Sequence, residues 1–197
     1  MRGVPPACPR FARLSCALLF LCTSADLPRS SLALPPLGPA RLPARPPQTP
    51  PQEAVKWVKS LTSLPVVVKG VLAAEDAASA VEAGADAIIV SNHGGRQFDG
   101  APTAVEALPD VAAAVAGRVP ILLDTGVRTA TDILRARCLG ASAVLLGRPP
   151  LWALACGGAA GLQRMLEHLR ADLKADMQSL GVRSLDELGP HIVWRST

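Results

Sequence analysis

The chain has 197 residues, a length that fits one domain with an extension. Hydrophobic residues make up 49% of it and charged residues 18%, so it can bury a core and global disorder is excluded. The net charge is only +4, and no basic stripe is interleaved with aromatics, so nucleic-acid binding is not expected. Five cysteines without a CxxC pair or a histidine at ligand spacing argue against a zinc site and a disulfide framework.

The N-terminus combines positive charge with a short apolar run. Arg2, Arg10 and Arg13 precede the apolar residues 14–22. This order resembles a secretory signal or a transit peptide, and an N-terminus from an unusual transcript or gene model explains it equally well. No stretch reaches the roughly 20 apolar residues of a membrane-spanning helix, so no span is expected.

Proline dominates the segment that follows, residues 28–52. Prolines this dense remove backbone donors and fix φ, so neither helix nor sheet can propagate. The sequence therefore predicts two parts, a disordered or polyproline-like leader over residues 1–52 and a folded domain over residues 53–197.

The folded part alternates short apolar strands with helices. The predicted strands are 65–69, 87–91, 120–124 and 143–147, the first of them buried on both faces. The predicted helices are 53–63, 74–83, 103–116, 129–139 and 161–180. Cys138 and Cys156, in apolar helical segments, are expected to be small buried residues.

Alternating strands and helices indicate βα units around a parallel sheet. Residues 84–91 and 140–147 also match almost position by position, each beginning with a glycine that ends a helix and feeds a strand. Such self-similarity favours a (β/α) barrel over a doubly wound sheet. Four units make half of an eightfold barrel, and its first and last strands would each lack a neighbour.

The segment SNHGGRQFD, residues 91–99, is the richest in chemistry. Its two glycines allow a tight turn that brings His93 and Arg96 toward one pocket. A neutral imidazole can accept a proton, and a guanidinium can grip a carboxylate through two hydrogen bonds. The pair suits proton abstraction from an acid substrate, and the alternative is a His and an Arg on a solvated loop.

Other polar groups follow the neighbouring strands. The loop DTGVR, residues 124–128, leads into a helix whose N–H groups, aided by Arg128, predict an anion site, and Gly147-Arg148 repeats the feature one unit later. Lys69 closes the first strand and could bind an electron-rich cofactor edge or form a Schiff base; the alternative is a surface lysine. Neither GxGxxG nor a P-loop occurs.

Taken together, these motifs resemble those of the FMN-dependent α-hydroxyacid oxidases and dehydrogenases, the glycolate oxidase group. VKG, SNHGGRQ, DxGVR and LGRP…LW stand in family order from about Val55 to the C-terminus. The resemblance implies a TIM barrel with FMN at its C-terminal face. It also implies that His93 accepts a proton from the substrate, that Arg96 binds the substrate carboxylate, and that Lys69 and Ser91 contact the flavin. The residues implied to hold the ribityl-phosphate end are Asp124, Thr125, Gly126, Val127, Arg128, Gly147 and Arg148.

The implied reaction oxidises a small 2-hydroxy acid to a 2-oxo acid, with O₂ reoxidising the flavin to give H₂O₂. The family also implies a homo-oligomer, a peroxisomal location and no metal. The chain ends in Arg195-Ser196-Thr197, however, and not in a Ser-Lys-Leu type of address.

Two further departures bear on activity. The family's first four βα units, which supply active-site tyrosines, a second carboxylate-binding Arg and the carboxylate that orients the His, have no counterpart here, and the chain contains no Tyr. Thr125 stands where the family usually has Gly. Two alternatives therefore stand beside the oxidase, a catalytically inactive truncated fragment and a non-enzymatic half-barrel interaction module that binds phosphate.

Overall fold

The computed structural model describes residues 51–194, and these form an alternating α/β domain. The predicted leader and the signal-like run at 14–22 lie outside the described residues, except that Pro51 and Gln52 begin the first helix. Proline is tolerated there because the first helical residues have no intrahelical partner for their N–H groups. The helices are α1 Pro51–Leu61, α2 Ala74–Glu82, α3 Ala104–Val115, α4 Ala130–Cys138 and α5 Arg148–Ser179. The strands are β1 Val67–Val71, β2 Ala87–Val90, β3 Ile121–Leu123 and β4 Ala143–Val144, and 3₁₀ turns cover His93–Gly95, Leu185–Glu187 and Pro190–Ile192.

The four strands form one parallel sheet in chain order, β1-β2-β3-β4. Ile88 of β2 pairs with Ile121 of β3, and Leu122 pairs with Ala143 of β4. Ile88 is fully buried, as are Leu108 and Val111 of α3, so the core lies between the sheet and the helices that return over it. The predicted parallel α/β architecture is confirmed, and it brings the carboxyl ends of all four strands to one edge.

Local sequence explains where the central helices begin and end. Thr103 and Thr129 each cap a helix, and each forms a capping box, with Glu106 and Asp132 respectively. Gly140, which follows α4, has φ +109°, and a Cβ there would lie 2.8 Å from the Cβ of Ala112. Only glycine accommodates both the left-handed backbone and the close approach of α3.

One prediction about burial and two predicted boundaries were wrong, each for an identifiable reason. β1 lies at an edge of the sheet and is partly exposed, so it is not buried on both faces as predicted. At the other edge, β4 has two residues, because it pairs on one side only. α5 begins at Arg148, and Gly157 and Gly158 interrupt its helical backbone before the predicted start at residue 161.

The two cysteines of the described part differ. Cys138 is buried, as predicted, whereas Cys156 is exposed, so the prediction of a buried Cys156 was wrong. Cys156 lies on the first part of α5, where Leu151, Trp152 and Leu154 are also exposed. This segment has too few packing neighbours among residues 51–194 to cover its apolar side chains. None of the helices in this range is both long and apolar enough to cross a bilayer.

The open edges of the sheet generate a prediction. β1 and β4 each pair on one side only within the described sheet, and unpaired edges favour association through strand pairing. We expect the purified chain to self-associate in a concentration-dependent way in size-exclusion chromatography with light scattering. Ala143→Lys on β4 should shift the distribution toward monomer, because an edge lysine opposes strand pairing.

The matched control for this change is Ala175→Lys on α5, where the added charge lies at an exposed helical position. It should leave the distribution as in the unsubstituted chain. A concentration-independent monomer, or equal effects of the two lysines, would contradict pairing through the sheet edge.

Candidate active site

The carboxyl ends of the strands converge on a pocket of about 380 Å³. Ligand-binding clefts typically enclose 300–1,000 Å³, so this volume suits a small molecule or part of a cofactor. Every predicted site residue except Ser91 lines the pocket: Lys69, His93, Arg96, Asp124, Thr125, Gly126, Val127, Arg128, Gly147 and Arg148. Ser91 is 1% exposed and hydrogen-bonds residues of the pocket wall. The structure therefore brings together predicted residues that come from β1 and from the segments that follow β2, β3 and β4.

A three-membered polar network joins the ends of β1, β2 and β3. Lys69 Nζ lies 2.6 Å from Asp124 Oδ2, and it donates a hydrogen bond to Ser91 Oγ at 3.1 Å. Ser91 Oγ donates in turn to Asp124 Oδ2 at 2.8 Å. Contrary to the prediction, Lys69 is not the last residue of its strand, because a bulge at Gly70 lets β1 continue to Val71.

The charge state of Asp124 follows from this network. Partial burial by itself raises the pKa of the carboxyl. Hydrogen bonds from Lys69 and Ser91, the charge of Lys69 and the N–H of Thr125 outweigh burial and lower the pKa below its ordinary value. Asp124 is thus a carboxylate at neutral pH and neutralises one of the cations that line the pocket.

His93 is held in an uncommon backbone conformation, with φ +55°. Its N–H donates to Ser91 Oγ at 3.1 Å, which ties the turn to the buried end of β2. Asn92 Oδ1 accepts from the N–H of Gly94 at 3.0 Å and closes the same turn. Arg96 Nε donates to the carbonyl of His93 at 3.3 Å, so the guanidinium and the imidazole are fixed to one short loop at the pocket.

The sequence predicts an anion site at the start of α4, but the N–H groups there already donate to a side chain of the same helix. The N–H groups of Arg128 and Thr129 both donate to Asp132 Oδ2 at 3.0 Å, and the Asp132 N–H donates to Thr129 Oγ1. These donors are already used by a capping carboxylate, which also opposes a second anion. What this loop offers an anion is the side chain of Arg128 at the pocket wall.

The start of α5 has no side-chain cap, unlike the start of α4. Gly147 precedes α5 and provides no side-chain cap, and the helix begins with Arg148. The Arg148 Nη2 lies 3.8 Å from the position of a Cβ on Gly94, so this side chain reaches the His93–Gly95 turn. Pro149 and Pro150 at the second and third helical positions have no N–H, so what this segment offers an anion is the guanidinium of Arg148.

The charges of the pocket are unbalanced. Its cationic side chains are Lys69, Arg96, Arg128 and Arg148, and its one carboxylate is Asp124. The excess of positive charge favours an anionic ligand. Within residues 51–194 there is no group of three or more His, Cys, Asp or Glu side chains able to hold a metal ion.

The pocket also has an apolar wall that the sequence motifs did not predict, formed by Leu145, Pro149, Leu151 and Trp152. Trp152 in this wall is 52% exposed. The signal was its place one turn after Gly147-Arg148, where helix periodicity carries it back toward the strand ends. The pocket therefore combines an apolar wall with several cationic side chains.

Fold and site together define a class: an α/β protein with a mainly cationic pocket at the carboxyl edge of parallel strands. The family follows from comparison with known proteins. Residues 44–195 match the model of the FMN-dependent dehydrogenases, and the chain belongs to this family. A 2-hydroxyacid oxidase of Dictyostelium discoideum is 45% identical over 71% of the chain, and the peroxisomal (S)-2-hydroxy-acid oxidase GLO4 of Oryza sativa is 48% identical over 68%. The chain spans only 36% and 37% of the lengths of these two relatives.

Solved structures give the same assignment. A lactate oxidase of Pediococcus acidilactici superposes with a TM-score of 0.69 at 45% identity, covering 73% of this chain and 40% of that one. A mandelate oxidase variant solved with an FMN adduct superposes with a TM-score of 0.66 at 50% identity, covering 68% and 43%. The chain is thus a segment of a TIM-barrel fold, as the sequence predicted, and the cofactor of its family is FMN.

Thr125 carries backbone strain that a substitution can test. Its φ is +82°, a conformation that is rare for β-branched residues. Such strain costs on the order of 1–3 kcal/mol, and the freedom of glycine in the unfolded chain offsets about 0.5–1 kcal/mol of the relief. We therefore expect Thr125→Gly to raise the free energy of unfolding by about 1 kcal/mol, measured by urea denaturation.

Thr125→Ala is the control for that substitution. It removes the 3.5 Å contact between the hydroxyls of Thr125 and Ser91 but keeps a Cβ on the left-handed backbone. It should give no gain in stability. If the glycine and alanine variants unfold at the same urea concentration, backbone strain is not what Thr125 contributes.

Asp124→Asn tests the polar network. Loss of the carboxylate should lower the free energy of unfolding by about 1 kcal/mol at pH 7, a modest value because Lys69 is partly exposed and screened by solvent. Because folding lowers the pKa of Asp124, its contribution is present above the ordinary value of 3.8 and is lost as pH falls through the lowered pKa. The two proteins should therefore converge in stability below about pH 3.8.

Asp110→Asn, at an exposed position of α3, serves as the matched control and should change stability little at either pH. Urea denaturation at a series of pH values measures all three proteins. A stability difference between the unsubstituted chain and Asp124→Asn that grows as the solution is acidified would contradict the assignment.

Proposed function

We propose that this chain carries the cofactor- and substrate-binding segment of an FMN-dependent oxidase of small 2-hydroxy acids. The observation that supports this most is the meeting of His93 and Arg96 in one pocket with the Lys69–Ser91–Asp124 network. An imidazole, a guanidinium and a lysine at the carboxyl edge of parallel strands match what oxidation of a carboxylate-bearing alcohol needs.

The pocket fits the charge of FMN. The phosphate suits the guanidinium groups of Arg128 and Arg148, which both line the pocket. The apolar wall that includes Leu145 and Trp152 suits the body of the cofactor. Bound FMN supplies a two-electron acceptor, chemistry that protein side chains lack.

Lys69 and Ser91 suit the polar edge of the cofactor. Lys69 is 40% exposed at its side chain and faces the pocket, so its charge is available to an electron-rich group. Ser91 and Asp124 hold the ammonium from the protein side, which fixes its position before any ligand arrives. Preorganised charge of this kind stabilises negative charge that develops during a reaction.

Arg96 would bind the substrate carboxylate and His93 would accept a proton from the substrate. Arg96 uses Nε to hold the His93 carbonyl, and a guanidinium has five donors, so others remain for a carboxylate. In the complete reaction the 2-hydroxy acid loses two electrons and two protons and becomes a 2-oxo acid. O₂ takes up both and becomes H₂O₂, so the equation balances without another reactant.

Location and assembly belong to the same proposal. The rice relative is named as peroxisomal, which supports a peroxisomal location for this chain. The open edges of the sheet support assembly with further polypeptide, and we propose a homo-oligomer. The substrate of the proposed enzyme is a small 2-hydroxy acid, and its second substrate is O₂.

The direct test is FMN binding followed by substrate oxidation. The purified chain is titrated with FMN, with quenching of flavin fluorescence as the readout, and 2-hydroxy acids are then added without O₂ to follow bleaching of flavin absorbance. His93→Ala should retain FMN and lose at least about 100-fold in the bleaching rate, the usual scale of a lost general base. Arg148→Ala should weaken FMN binding about tenfold or more, on the scale of a lost charged hydrogen bond.

Arg170→Ala, at an exposed position of α5, removes the same charge elsewhere and should leave both readouts unchanged.

The alternatives give different results. FMN binding without bleaching indicates an inactive fragment. Binding of inorganic phosphate with neither FMN binding nor bleaching indicates a non-enzymatic module. Either result would overturn the proposed oxidase activity of this chain.

A further inference from the structure

Gly70 lies directly under the imidazole of His93. A Cβ built on Gly70 would be 2.6 Å from His93 Cε1, closer than real Cβ atoms approach other atoms. The same point is 3.5 Å from Nδ1 and 3.6 Å from Nε2. Because the two nitrogens are nearly equidistant, the ring presents its Cε1 edge to the glycine, with one nitrogen on either side.

The backbone at Gly70 is specialised as well. Its φ is +97°, and it is the position at which the register of β1 shifts against β2, between Lys69 and Val71. A glycine bulge of this kind re-aims the chain beside a site. Gly70 thus has no side chain at the point where a Cβ would collide with the imidazole.

The remaining freedom of His93 is small. Its N–H is bound by Ser91 Oγ and its carbonyl by Arg96 Nε, so the backbone is fixed on both sides. With the backbone fixed, the ring can turn only about its two side-chain torsions. A methyl group on Gly70 would push Cε1 and so redirect both nitrogens at once.

We propose that Gly70 is a positioning residue that seats the His93 imidazole and sets the direction of its two nitrogens. The role of the seat in catalysis rests on the proposed function, in which His93 accepts the substrate proton. The seat itself is a property of this chain without cofactor or substrate. A base displaced by about 1 Å loses on the order of 100-fold in rate, so the seat matters for proton transfer.

The test uses the full chain labelled with ¹³C at histidine Cε1, which gives one resonance for each of the three histidines. His93→Gln identifies the His93 resonance by its loss. In the unsubstituted chain we expect a nuclear Overhauser contact between His93 Hε1 and a Gly70 Hα. Absence of this contact overturns the seat, and this measurement needs no variant that folds.

Gly70→Ala should move the His93 resonance and leave those of His168 and His191 in place. Gly84→Ala is the matched control: its φ is +98°, almost the value at Gly70, and a Cβ there meets only Lys59 Cε at 3.9 Å. Both variants strain a left-handed backbone equally, so only the contact with the imidazole distinguishes them. Equal movement of the His93 resonance in the two variants, or none in Gly70→Ala, overturns the proposal.

With FMN and a 2-hydroxy acid, Gly70→Ala should lower the limiting rate of flavin bleaching about 100-fold and leave the half-saturating substrate concentration within about twofold, because Arg96 keeps its place. Gly84→Ala should change neither value. A shifted His93 resonance in a chain that never bleaches FMN supports the seat and contradicts the oxidase function. Bleaching at the unsubstituted rate in Gly70→Ala overturns the seat as a device for catalysis.

Discussion

Asp124 Oδ2 is the point at which the carboxyl ends of three strands are tied together. It accepts a hydrogen bond from Ser91, the residue after β2, and pairs with Lys69 of β1, while Asp124 itself directly follows β3. Ser91 Oγ also accepts from the His93 N–H, so the same network reaches the turn that carries the imidazole. One carboxylate thereby links the carboxyl ends of neighbouring strands to the turn that carries His93. The lowered pKa of Asp124 keeps this carboxylate charged.

Backbone strain is concentrated around that network. His93 and Thr125 are two of the three non-glycine residues in the described chain with positive φ, and both lie at the pocket. Strain of this kind persists only where surrounding contacts over-determine the backbone. Ser91 supplies contacts to both residues, through the His93 N–H and through the hydroxyl of Thr125. The rigid network and the strained turns are therefore parts of one arrangement, in which buried hydrogen bonds hold loops in conformations that they would not otherwise adopt.

Sequence was sufficient for the features set by short-range chemistry. β2 could be located because the apolar run 87–90 stops at polar residues, and helix starts could be located because Thr103 and Thr129 have capping partners three residues later. The set of pocket residues followed from parallel topology, which places all strand ends on one edge. The resemblance to a family supplied FMN, which residue chemistry by itself could not have named.

What sequence could not give depends on contacts between distant residues. The N–H groups at the start of α4 were expected to be open to an anion, but Asp132 accepts those of Arg128 and Thr129, an outcome decided by loop geometry. The exposure of β1 and of Trp152 depends on which surfaces lack neighbours, and no local pattern encodes a missing neighbour. The bulge at Gly70 was not predicted either, because the predicted first strand ended at Lys69, before the glycine.

The distribution of chemistry along the chain explains why a segment of a barrel can retain a recognisable site. His93 and Arg96 share one loop, and the residues that anchor it, Ser91 and Gly70, belong to adjacent strands of the same sheet. Each of these contacts is made between neighbouring βα units, so none requires a closed barrel. Closure matters instead for the exclusion of water and for the apolar wall, where Leu151 is 62% exposed and Trp152 52%. The contacts that position His93 and Arg96 are thus local, whereas the apolar wall of the pocket remains largely exposed in this chain.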